Sequence, residues 1–138
     1  MESQMDSQRI TEHFTWGKIV CPCCERIRIT PAFWRHMEAL ERLRVALGFP
    51  LIVNSGYRCE KHNMEVAGSS GSMHMLIATD VRPNMLDMSV MPVERESLTQ
   101  GRLQEIYDRA PEFGFTGRGR YNSFVHLDMR PTPMDWRG

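Results

Sequence analysis

The stretch from Thr30 to Pro50 constrains this chain more than any other. Thr is a preferred N-cap because its hydroxyl accepts an otherwise unpaired amide, and Pro31 fits the first helical position, where no amide hydrogen is needed. Phe33, Met37, Leu40, Leu43 and Leu47 then recur at helical spacing, Gly48 offers a C-cap and Pro50 blocks continuation. The pattern predicts an amphipathic helix over about 31–47 whose apolar stripe is core. Leu51-Ile52-Val53 follows at once as a short buried-type strand. The predicted class is α+β: one domain with helices packed on a small, largely antiparallel sheet.

The remaining elements are placed around that helix. A second helix is predicted over about 94–109, with Leu103, Ile106, Tyr107 and Ala110 on one face. Strands are predicted over Ile77–Val81 and Ser123–Met129, a short one at Ile27-Arg28-Ile29, and a short helix over Cys59–Val66. Ile10–Val20 reads as a docking segment, Cys21-Pro22-Cys23-Cys24 as a turn and residues 84–92 as a loop; Gly114, Gly117 and Gly119 mark turns. The domain is expected over 10–131, with tails at 1–9 and 132–138, the latter Pro-rich.

Bulk properties narrow the function. The formal net charge is zero, against the basic excess that general nucleic-acid binding favours. No apolar run approaches the ~20 residues of a membrane span. Met1–Gln8 is polar and lacks the apolar stretch of a secretory signal, so synthesis in the cytoplasm is expected, and the chain is expected to be a monomer. The 11 Met residues read as gap-fillers in core and loops.

Two distant segments each offer a His and an Asp: Ser72-Met73-His74-Met75-Leu76-Ile77-Ala78-Thr79-Asp80 and Phe124-Val125-His126-Leu127-Asp128. A period of two puts His126 and Asp128 on one face of their strand, with Val125, Leu127 and Met129 on the other. His74, Asp80 and His126 together form a ligand set that suits a catalytic zinc and leaves a position open. Zinc lowers the pKa of a bound water toward ~7 and polarises a carbonyl, and a nearby carboxylate can then act as base in amide hydrolysis. Taken alone, each His-Asp pair also fits a polar strand end.

The order Ser55-Gly56-Tyr57-Arg58, His62-Asn63, Ser72-x-His74 through Ala78-x-Asp80, then Phe124-Val125-His126-Leu127-Asp128 resembles the zinc D-Ala-D-Ala carboxypeptidase family and its phage endolysin relatives. Within it, the Cys-Pro-x-Cys segment before the first helix is similar to a phage-type branch. The resemblance covers roughly residues 12–131 and implies a peptidase acting on peptidoglycan stem peptides, released to the wall by another route. It implies Zn2+ bound by His74, Asp80 and His126. It implies that Arg58 pairs with a substrate carboxylate or carbonyl, a task that suits its bidentate geometry. Ser72 is expected to hydrogen-bond substrate or to structure its loop, and Tyr121 to line the site or to pack. Relatives carry an acidic residue or His shortly before the last ligand, where this chain has Ser123 and Phe124. Asp128 is then the candidate general base, with orientation of His126 as its other reading.

One departure bears on the metal. The family pattern Ser-x-His-x-x-Gly-x-Ala-x-Asp has a Gly that is missing between Leu76 and Ile77, so five residues separate His74 from Asp80. In extended chain a one-residue change turns side chains to the opposite face. Either the segment near Met75 absorbs the loss or Asp80 points away. In the second case the chain is a non-catalytic module that binds wall or peptide.

The four cysteines admit three readings. Cys21, Cys24, Cys59 and His62 have the spacing of a structural Cys3His zinc site. Buried thiols, or a disulfide between Cys59 and one of the Cys-Pro-Cys-Cys thiols, are the others.

Overall fold

The computed structural model describes residues 8–21, 27, 29–57, 77–86 and 92–138. The chain opens with a hairpin, β1 (Arg9–Thr11) and β2 (Phe14–Thr15), followed by a one-turn helix α1 (Trp16–Ile19). The long helix α2 spans Pro31–Leu47, as its punctuation predicted. The Thr30 hydroxyl accepts from the Phe33 amide at 3.1 Å, and Gly48 takes the left-handed conformation, φ 77°, that ends the helix without a Cβ penalty.

A five-stranded sheet follows: β3 (Leu51–Ser55), β4 (Ala78–Pro83), β5 (Gly117–Arg120), β6 (Val125–Asp128) and β7 (Met134–Arg137). Helix α3 (Pro92–Arg109) and a 3-10 turn (Ala110–Phe113) stand between β4 and β5. The strand order is β3-β4-β6-β5-β7; all neighbours are antiparallel except β5 and β7, which run parallel. This is an α+β arrangement with a mostly antiparallel sheet.

Alternation along β4 and β6 gives the sheet two different faces. Val81, Val125 and Leu127 are fully buried in the core with Phe33, Met37, Leu40 and Leu43 of α2 and Leu103 and Ile106 of α3. Full burial of each such side chain contributes about 1.5–3 kcal/mol over exposure. Thr79 belongs to the same face and lies 3.0 Å from Nε2 of the buried His36, which also meets Phe115 edge-on. The residues between them, Asp80, His126 and Asp128, face the other way.

Three local expectations are corrected. Ile27 and Ile29 lie outside any strand, and Ile29 is exposed, because the apolar alternation there has no partner strand among the described residues. The docking segment Ile10–Val20 is built as a hairpin plus a helical turn, with Phe14 and Ile19 in the core. Gly117 and Gly119 sit inside β5, not in turns, for a steric reason given below. Met134–Arg137, expected within a tail, pairs with β5 as the fifth strand.

The N-terminal segment is fastened both at the end of β3 and on α2. Ile19 approaches the end of β3 so closely that a Cβ on Gly56 would lie 2.6 Å from the Ile19 carbonyl oxygen, and the Tyr57 amide donates to that same oxygen at 2.8 Å. The hairpin is tied to α2 through Glu41, which accepts from the His13 amide at 2.8 Å and sits 2.5 Å from His13 Nδ1. Burial raises the Glu41 pKa, but hydrogen bonds from His13 and Thr11 outweigh it, so the carboxyl titrates below its ordinary range. A carboxylate held low stabilises the fold above its ordinary pKa, and that contribution is lost as pH falls through the lowered value. Glu41→Gln is expected to cost about 0.5–1 kcal/mol at pH 7, the scale of a partly exposed pair. The difference from wild type shrinks as pH drops below about 4, which urea unfolding at several pH values would follow.

Candidate metal centre

Strand register builds the site. Asp80 of β4 is paired directly with His126 of β6, and Ala78 with Asp128. Directly opposed residues of an antiparallel pair share a face, so the register alone sets the Asp80 carboxylate against the His126 imidazole. Asp80 Oδ1 lies 3.0 Å from His126 Nδ1, and Asp128 Oδ2 lies 2.7 Å from His126 Nε2. The shortened segment before Asp80 therefore does not turn that carboxylate away from His126.

Asp128 is fully buried and densely engaged. Beyond His126, its Oδ1 accepts from Arg130 Nε at 2.9 Å and from the Arg130 amide at 3.0 Å, while Oδ2 accepts from an Arg130 terminal nitrogen at 2.6 Å. Burial alone raises its pKa; the Arg130 and His126 hydrogen bonds prevail and hold it far below the usual carboxylate range. For His126, burial lowers the pKa, and the hydrogen bonds and charges of Asp128 and Asp80 more than reverse this, leaving it raised.

The neighbouring strand explains why these groups fit. The β5 residues facing Asp128 and His126 are Gly117 and Gly119. A Cβ on Gly117 would overlap Asp128 Oδ1 and Arg130 Nε, and one on Gly119 would overlap the Trp136 indole. The bare face of β5 is what lets Asp128, Arg130 and Trp136 lie over it.

Of the residues singled out in sequence, Asp80, His126 and Asp128 come together. His74, Arg58 and Ser72 lie outside the described residues, as do Cys24, Cys59 and His62 of the cysteine reading; Cys21 is buried. Ser55, paired with Asp80, ends β3 beside the site three residues before Arg58. Tyr121 stacks on Phe124 with ring centroids 4.4 Å apart, and its hydroxyl accepts from Trp136 Nε1 at 2.9 Å. Sequence reasoning missed Arg130 and Trp136. Arg130 continues the period-two face of His126 and Asp128 by one step; Trp136 carried no such signal.

Among the described residues, Asp80 and His126 are spaced as two of a zinc ion's ligands would be. Two ligands at 2.0–2.1 Å from a tetrahedral zinc are about 3.3 Å apart, close to the 3.0 Å between Asp80 Oδ1 and His126 Nδ1. Metal-binding imidazoles ordinarily donate their other N–H to a carboxylate, which is the relation of Nε2 to Asp128. A second donor group, Glu12, His13 and Glu41, has ligating atoms within 4.8 Å of one another. Its imidazole is engaged by Glu41, and it shares no element with Asp80 or His126.

A family model described as Peptidase M15 matches residues 12–128, which include Asp80, His126 and Asp128. No curated protein matches the chain.

Proposed function

We propose that this chain, which belongs to the peptidase M15 family and is in general character a zinc-dependent peptidase, hydrolyses an amide bond in peptidoglycan stem peptides, as a D-Ala-D-Ala carboxypeptidase or an endolysin-type endopeptidase. The observation that carries the reading is the Asp80–His126 pair at 3.0 Å, kept despite the missing Gly. It supports Asp80 and His126 as zinc ligands, with His74 as the third, and it weighs against a module that only binds.

Bound there, zinc supplies a Lewis acid that polarises a carbonyl and acidifies water. The chain's own residues arrange the rest. Asp128 accepts the Nε2–H of His126, which fixes the tautomer and presents the Nδ1 lone pair on the Asp80 side. Arg130 neutralises and clamps Asp128. A carboxylate already accepting from four donors has little capacity left to take a proton from water. Orientation of His126 is thus the Asp128 role that the geometry favours over general base. Arg58 is assigned to a substrate carboxylate or carbonyl, and Ser72 to a substrate hydrogen bond. Tyr121, its hydroxyl engaged by Trp136, contributes its ring to the site's border.

Incubation of the purified chain with stem peptides ending in D-Ala-D-Ala and with intact peptidoglycan, each with zinc or with chelator, tests this. Mass spectrometry should show shortened peptides only where zinc is present. Unaltered peptides and wall in the zinc samples would end the reading.

A further inference from the structure

The chain beyond Asp128 lies outside the span that the family model matches, yet it completes the site face. Pro131 and Pro133 interrupt the chain, and β7 then returns beside β5 in parallel, with Trp136 opposite Gly119. Gly119 is itself opposite His126, so Gly119, His126 and Asp80 form one row across the sheet and Trp136 extends it. With no side chain at position 119, the indole closes over β5 and reaches the imidazole, 5.2 Å between ring centroids at a tilt of 46°.

The indole is held on several sides. Its N–H donates to the Tyr121 hydroxyl at 2.9 Å, and Tyr121 is in turn stacked on Phe124. The Arg130 guanidinium carbon lies 4.9 Å from its ring centroid, a cation–π distance, while the same guanidinium grips Asp128. Trp136 thus touches both the imidazole and the cation that fixes the imidazole's carboxylate. A ring of this size, pinned through its N–H, limits rotation of His126 about its side-chain torsions and keeps Arg130 from swinging to solvent.

We propose that Trp136 is a positioning residue for the metal centre: it braces His126 and Arg130, so that the C-terminal strand sets the chain's affinity for zinc. The inference rests on the zinc site proposed above. Groups that orient metal ligands without touching the metal ordinarily change affinity 10–100-fold when removed.

The test compares zinc dissociation constants of the full chain, by competition with a chromophoric chelator, for wild type, Trp136→Ala, Trp136→Phe and Asp135→Ala. Asp135 lies on the opposite side of β7, where its carboxylate accepts from the Tyr107 hydroxyl at 3.1 Å. Asp135→Ala therefore loosens the strand without removing a contact to His126. Trp136→Ala should weaken zinc binding by about tenfold or more, and Trp136→Phe, which keeps a ring but loses the N–H donor, should fall between it and wild type. Asp135→Ala should lower the melting temperature and leave zinc affinity unchanged. Equal zinc affinity in wild type and both Trp136 variants would overturn the proposal, as would an equal loss in Asp135→Ala. A wild-type chain that binds no zinc would instead overturn the site on which it rests. If Trp136→Ala does not fold, the Phe variant against Asp135→Ala decides.

Discussion

His126→Ala is expected to remove peptidase activity by at least about a thousandfold, since a metal contributes several kcal/mol of charge stabilisation and 1.36 kcal/mol is tenfold in rate. The variant should also lose stoichiometric zinc, read by metal analysis after dialysis. The structural reason is that His126 is the point on which both carboxylates converge, with Asp80 on one ring nitrogen and Asp128 on the other. Without the ring, Asp80 and Asp128 each lose their hydrogen bond to His126, and Asp128 retains Arg130. The same variant should hold the sheet, because position 126 faces away from the core formed by Val125 and Leu127. Retained zinc and near-normal turnover in a folded His126→Ala chain would contradict the assignment.

Arg130→Met is expected to give the largest loss of stability. Breaking a buried ion pair by removing one partner typically costs 3–5 kcal/mol, because the remaining charge stays buried. Asp128 is fully buried, but it would keep His126 and the amide of residue 130, and Arg130 itself is partly exposed. A loss of about 2–3 kcal/mol follows, measured by urea unfolding of metal-free protein. Asp128→Asn should cost less in the Arg130→Met background than in wild type, since part of its effect has already been incurred. Strict additivity of the two substitutions would argue against a coupled pair.

Much of the fold could be read locally. The Thr30 cap, Pro31 and Gly48 bound a helix by contacts that span only a few residues, and the structure places it at Pro31–Leu47 as they require. The His126/Asp128 face followed from strand periodicity in the same way. What stayed hidden depended on distant partners. Gly117 and Gly119 look like turn residues until Asp128, Arg130 and Trp136 are seen lying over them. Met134–Arg137 looks like a tail because a parallel pair leaves no hairpin signature, and two prolines precede it. The consequence of the missing Gly before Ile77 could not be decided in sequence either. How Asp80 meets His126 is displayed only by the paired strands, and the segment that carries His74 lies outside the described residues.

Because β7 closes the sheet on one side, its outer backbone edge has no further strand beside it among the described residues. Such borders invite foreign strands, and nature commonly guards them with charge. Asp135 and Arg137 flank Trp136 in this chain and are exposed. Both lie on the α3 side of β7, where Asp135 accepts from the Tyr107 hydroxyl and Arg137 donates to Gln104. One four-residue strand thus carries exposed charge on one face and, on the other, the indole that lies against the His126 ring, which puts that border one side chain away from the row of Asp80 and His126.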